Sequence, residues 1–403
     1  MNEPDEQSST SPMAPVSLSR LALGNFTGML VILGAVATLY GPLLISLSRH
    51  FHISLAQAGI LLSVHFVGAL AGVPAGWFAM SRVKGSAVVT ATLACFGLGA
   101  LDVALAPSWP VFLVGVFVIG CGFGGLDFAI NTLLARTAVS GRAHRLSVAN
   151  AGYGLGAVLG PLIVVLVEPH NYRLLFGGAV VVVAILIAMN RGVVAPAQTD
   201  EDRLHELNSL HQRRRAILAT FIVAYALYVA AESSASGWIA PQLHREGHSG
   251  SLASLITGGF WLGLTLGRVG GGRLHRHFAD RALVLGSLGA GVVVAVLAIN
   301  AAIAPVAYPL LGLAFASVYP MGLIWYTRLC PHDRNGLALI ILCMMVGGIV
   351  GPGAESLAVS LAGVHAVPVM IAVFVTLDLV AFASASRFTP VGAHPRAQSG
   401  FAG

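Results

Sequence analysis

Charge is what this chain has least of. Asp, Glu, Lys and Arg together make up 9% of its 403 residues, whereas 56% are hydrophobic. That balance excludes a water-soluble fold of this size and points to a polytopic membrane protein. Lysine occurs once, at Lys84 between Val83 and Gly85. A Gly-x-x-x-x-Gly-Lys-Ser/Thr loop therefore has nowhere to form, which argues against ATP-driven transport by this chain alone. Cysteine is also sparse: Cys95, Cys121, Cys330 and Cys343 lie in apolar segments without metal-ligand spacing, so they read as free thiols. There is no His-Glu-x-x-His and no Gly-x-Ser-x-Gly, so the sequence points away from an enzyme and calls for no metal or other cofactor. Nothing in it suits nucleic acid. Residues 1–19 lack a basic region followed by a short apolar core, and read as a disordered tail instead of a signal peptide.

What is present in abundance is apolar sequence. It divides into twelve stretches near the ~20 residues needed to cross the hydrocarbon core, among them 21–46, 110–136, 216–243, 306–329 and 335–361. The expected fold is all-α, with twelve transmembrane helices in two six-helix bundles. Residues 20–190 form the first bundle, 191–215 a cytoplasmic linker, 216–388 the second bundle and 389–403 a tail. With both termini placed in the cytoplasm, 19 basic residues fall inside, and only Arg49, Arg173 and Arg245 fall outside. That asymmetry predicts this orientation, in a cell inner membrane. The halves look duplicated: Arg136 to Gly160-Pro161 matches Arg328 to Gly351-Pro352, and His65–Gly76 can be laid on Phe260–Gly271.

Span four holds an acid inside an apolar run. Asp127 follows Gly120-x-Gly122-x-x-Gly125, a spacing that imitates a dinucleotide fingerprint but has membrane-length flanks where a strand and a soluble helix are required. Glycines spaced this way bring membrane helices close together. Asn131, one turn after Asp127, extends a polar stripe. In span seven Tyr225, Tyr228, Glu232 and Ser236 form a second stripe on one face. A carboxyl at mid-membrane costs roughly 2.5 to 3.5 kcal/mol, so such groups point to function or pairing.

Two six-helix halves, a central linker and basic turns after spans two and eight resemble the major facilitator superfamily over roughly residues 21–387. Within it, Gly122-x-Gly124-x-x-Asp127-x-x-x-Asn131, Tyr228-x-x-x-Glu232-x-x-x-x-x-Trp238 and Trp261-x-Gly263-x-x-x-Gly267-Arg268 are similar to the fucose:proton symporter branch. The loop signature of the superfamily is degraded: Met80 stands where its acid is expected. Span one holds no Asp or Glu, so fucose itself is not carried over as the substrate.

The resemblance implies a central cavity lined by spans one, four, seven and ten. Asp127 and Glu232 would then be proton-coupling groups facing it from opposite halves. Asn131, Tyr225, Tyr228, Glu232, Ser236, His65, Tyr319, Trp325 and Tyr326 are the candidate substrate contacts. Gly160-Pro161 and Gly351-Pro352 are candidate hinges, since proline removes an amide donor and clashes with the preceding turn. Arg136 and Arg268 are candidate gating residues. Trp109 and Trp238 read as interface anchors, Asp378 as a packing group, and Glu355 as a gate or binding group. The expected function is proton-coupled symport of a neutral, polar, sugar-like solute by a monomer in a lipid bilayer. The alternatives are a proton-driven exporter of amphipathic compounds and, more distantly, a non-transporting receptor.

Overall fold

A backbone in hydrocarbon must satisfy its own hydrogen bonds, and this chain does so with helices throughout the described residues. The computed structural model describes residues 19–135, 142–167, 171–190, 212–274, 277–331 and 333–389. The predicted tails, most of the linker, and Arg136 lie outside the described residues, apart from the flanking positions Ser19, Gln212 to Arg215 and Thr389. The first half contains α1 (Arg20–His50), α2 (Leu55–Met80), α3 (Gly85–Leu105), α4 (Trp109–Ala135), α5 (Arg142–Val167) and α6 (Tyr172–Met189). The second contains α7 (Gln212–Arg245), α8 (Gly250–Leu274), α9 (Asp280–Leu297), α10 (Ala304–Phe315), α11 (Val318–Leu329), α12 (Arg334–Ala362) and α13 (Ala366–Ala385). Among the described residues twelve spans are long and apolar enough to cross a membrane, with α10 and α11 together forming the tenth.

Local chemistry sets the ends. Ser19 caps α1 by accepting from the Ala22 amide, and Ser54 and Gln57 form a capping box on α2. The tenth span is broken at Ala316-Ser317, where a single helix is expected from the apolar run. Pro320 explains the break: it has no N–H to offer the Ala316 carbonyl, and its ring clashes with it.

Glycine decides which helices touch. In the first half, a Cβ on Gly68 would strike the Phe117 carbonyl, one on Gly120 the His65 carbonyl and one on Gly124 the Ala69 carbonyl, so α2 and α4 pack backbone to backbone. In the second half, Gly312 meets the Phe260 carbonyl and Gly263 the Pro309 carbonyl, the same contact between α8 and α10. Gly156 and Gly160 bring α5 onto α1, as Gly347 and Gly351 bring α12 onto α7. The duplication read from the sequence is thus repeated in the packing. The helices continue through Pro161 and Pro352, and the glycine before each proline belongs to these crossings, Gly160 against Ala35 and Thr38 and Gly351 against Ala230.

The halves meet away from the face on which α1 begins. On this far side Gly41 of α1 lies against the carbonyls of Ser236 and Gly237 in α7. The Ser63 hydroxyl of α2 donates to the Ile349 carbonyl of α12 at 2.7 Å. Gly154 of α5 meets Thr265 of α8, while Gly258 faces Val158 and Pro161. Among the described residues the main packing partners of α4, namely α2, α3, α5 and α1, all belong to its own half. The interface is therefore sealed on the far side and parts toward the face of the termini.

Candidate functional site

The space between the halves receives polar groups from both. The glycine face of α4 is spent on α2 and α3, with Gly122 against the Phe96 backbone, which turns Asp127 and Asn131 the other way. Both are half-buried. Asn131 Nδ2 donates to the Asp127 carboxylate at 3.0 Å, and Nδ2 of Asn150 on α5 donates to Asn131 Oδ1 at 3.2 Å. A ladder of carboxyl, amide and amide thus steps from α4 to α5, ending at the exposed Asn150.

Across the space, Glu232 of α7 is half-buried one turn after the buried Tyr228. The Tyr228 hydroxyl faces Glu232 and Arg268 closely enough to feel both, without the alignment of a formed hydrogen bond to either. The Arg268 guanidinium, from α8, stands 5.7 Å from the centre of the Tyr319 ring, at the break in the tenth span. Its side chain keeps contact with solvent although protein atoms surround it, as expected of a group lining an open cavity. The Tyr153 hydroxyl of α5 is within electrostatic reach of Glu232, Asp127 and Arg268, so the two carboxyls and the cation share one site.

Aromatic rings close this site toward the sealed side. Phe123 meets His65 at 5.0 Å and Tyr153 at 6.2 Å, and Tyr153 meets Trp261 of the other half at 6.3 Å. Trp261 in turn donates to the Ser236 hydroxyl at 3.0 Å, which anchors the bridge to α7. His65 is buried with its Nδ1 3.2 Å from the Tyr40 hydroxyl, so it belongs to the floor of the cavity.

Three expected contacts turn away. Tyr225 is fully buried and donates to the Tyr319 carbonyl at 2.7 Å, with its ring against Phe382. Trp325 donates to Thr389 at 3.0 Å and stacks on Phe382, and Tyr326 donates to Asp333 at 2.7 Å. For Trp325 and Tyr326 the physical reason is the break before α11, which resets the helical phase and directs this aromatic face into the second bundle against Phe221 of α7 and Phe382 of α13. Trp238 is likewise no interface anchor: it is fully buried, and a Cβ on Gly59 of α2 would strike its ring. Asp378 is buried on α13, beside Tyr225.

Sequence reasoning passed over Asn150 and Tyr153, and placed Arg268 at a gate instead of in the cavity. Their signals were present: Asn150-x-x-Tyr153 is an i, i+3 polar pair in an apolar helix, and Arg268 lies 18 positions into α8, short of its end.

A family model described as Major Facilitator Superfamily matches residues 26–239. The cis,cis-muconate transport protein of Acinetobacter baylyi is 30% identical over 182 residues, a match spanning 43% of this chain and only 43% of that relative. Among solved structures, a D-xylose-proton symporter superposes with a TM-score of 0.74 at 14% identity, covering 92% of this chain and 98% of that one. The E. coli fucose:proton symporter superposes with a TM-score of 0.63 at 17% identity, over 91% of this chain and 98% of that one.

Proposed function

The chain belongs to the major facilitator superfamily, and from that premise we propose proton-coupled symport of a small carboxylate-bearing organic solute by alternating access. It is a membrane transporter and not an enzyme. The observation that carries the reading is Arg268, a guanidinium in the cavity with Tyr319 on one side and Glu232 within electrostatic reach on the other. Arginine offers a planar fork of donors matched to a carboxylate, which suits an anionic solute better than a neutral one. The identity shared with a muconate transport protein supports the same chemistry.

In this reading Arg268 holds the carboxylate of the solute while the aromatic floor covers its apolar body. Asp127 and Glu232 take up protons, because two carboxylates and an anion around one guanidinium cannot all be enclosed in ionised form. One proton entering with a monocarboxylate moves no net charge, so the pH difference drives uptake, and each pH unit, worth about 1.4 kcal/mol, supports about tenfold accumulation. The positive-inside asymmetry supports placing the termini, and the opening seen between the halves, in the cytoplasm. A second reading, a neutral polyhydroxylated solute, draws on the Asp127-Asn131-Asn150 ladder, whose donors and acceptors suit hydroxyl groups.

The test is uptake by purified protein in proteoliposomes under an imposed proton gradient, comparing cis,cis-muconate with D-xylose and L-fucose. The acid should accumulate and the sugars should not. Asp127→Asn should lose accumulation at least tenfold while still exchanging solute down its gradient. Uptake of sugars alone would favour the second reading, and full accumulation by Asp127→Asn would remove that residue from coupling.

A further inference from the structure

A second polar cluster lies outside the cavity, in the far half of the second bundle. Its deepest member is Glu355 of α12, which has no exposed surface and no hydrogen-bond partner on either carboxyl oxygen. The Ser234 hydroxyl of α7, itself fully buried, lies beside it without the alignment of a formed bond. Among the described residues no basic side chain comes within ion-pair distance of Glu355.

From Glu355 a run of polar side chains leads to the far surface. The Tyr308 hydroxyl of α10 is within electrostatic reach of both Glu355 and Glu246, and donates to Gln242 Oε1 in a short contact. Gln242 Nε2 donates to Glu246 Oε1 at 3.0 Å. Glu246, with a side chain only 4% exposed, stands 3.9 Å from His365, which is 83% exposed. Of the other titratable groups on helices packed against α12, His65 of α2 contacts Tyr40, Glu232 of α7 faces Tyr228 and Arg268, Asp378 of α13 lies unpaired beside Tyr225, and His244 of α7, its Nδ1 unpaired, lines a far-side crevice with Pro42 and Arg49 of α1 and Ser254 of α8.

We propose that Glu355 is a second proton-binding site, reached from the far face along Glu246, Gln242 and Tyr308, and that its occupancy controls closure of the far side. Burying an unpaired carboxylate is costly, whereas the neutral acid is far cheaper to enclose. Glu355 sits directly behind the seam. One turn before it Gly351 packs on Ala230 of α7, and the next residue, Ser356, lies against Gly59 of α2. The sealed arrangement therefore holds the protonated form, and loss of the proton favours opening to water. By reciprocity, whatever closes the far side also binds the proton.

The test needs no transported solute, so it stands or falls independently of the substrate reading. Ser63→Cys, introduced with the four native cysteines replaced, reports on the α2–α12 seam. Labelling of intact cells by a membrane-impermeant maleimide is followed from pH 5 to 9, with pH equalised across the membrane by an ionophore and rates corrected for the intrinsic pH dependence of a free thiol. The corrected rate should rise with pH, by up to tenfold per unit where the site titrates. In Glu355→Gln it should stay low and flat, and in Asp127→Asn the rise should persist. Glu246→Gln and Tyr308→Phe, which leave Glu355 in place, should shift the midpoint. An unchanged rise in Glu355→Gln overturns the proposal. So does labelling that follows sodium concentration at fixed pH, which would make the cluster a metal-cation site.

Discussion

Asp333 shows how much one side chain outside the membrane can organise. It caps α12 by accepting from the Gly336 amide at 2.8 Å, and also accepts from the Tyr326 hydroxyl at 2.7 Å and from Arg214 Nε at 3.1 Å. Burial pushes its carboxyl up, but the donors from Tyr326, Gly336 and Arg214 outweigh that and hold it below the usual carboxylate range. A depressed folded value means the ionised form contributes stability above the unfolded value of about 3.9, and that contribution is lost as pH falls through the folded value. The melting temperature of the wild type should therefore exceed that of Asp333→Asn from pH 5 to 7, and the gap should narrow below about pH 4. A gap that is constant with pH would mean that the charge has no role. Tyr326→Phe, which removes one hydrogen bond to a charged group, should cost about 1.5–3 kcal/mol in the same melts.

Among the elements, the tenth span is the one whose irregularity reaches the cavity. Its break places Tyr319 under Arg268 and offers the Tyr319 carbonyl to Tyr225. A proline inside a helix costs about 3 kcal/mol relative to alanine, so Pro320→Ala should favour a continuous helix and rotate Tyr319 off the guanidinium. The expected outcome is raised thermal stability with solute uptake reduced about tenfold; unaltered uptake would show that the break serves only packing. The spans, their duplication, and the pairs Asp127/Asn131 and Tyr228/Glu232 were legible in the sequence, because length, repeat spacing and i, i+4 geometry are local properties. The facing of Trp325, Tyr326 and Trp238 was not. Helices that are apolar all round carry no amphipathic signal, so their rotation is fixed by glycine contacts such as Gly124 on Ala69, known only once the partners are in place. The nearness of Arg268 to Tyr319 and Tyr228 was not legible for the same reason, since it depends on how α8 is rotated against its neighbours.

For the molecule as a whole, stability and movement depend on the same small-residue contacts. Lipid gives membrane helices little hydrophobic reason to associate, so close backbone packing holds each half together. The joint between the halves, on the far side, is thinner and partly polar, which suits a seal that has to open. The α2–α12 seam tests this directly. A Cβ at Gly353 would sit 3.1 Å from the Ser63 hydroxyl oxygen, so cysteines at both positions fall within reach of a disulfide, which joins Cβ atoms about 3.5–4.5 Å apart. With the native cysteines replaced, oxidising Ser63→Cys/Gly353→Cys should lock the far side shut and reduce transport at least tenfold, with recovery on reduction. The locked protein should still bind solute from the face of the termini, seen as ligand-induced thermal stabilisation, because the cavity opens to that side. Quantitative cross-linking with undiminished transport would mean that the halves do not separate along this seam, and that the opening between them is not one state of an alternating cycle.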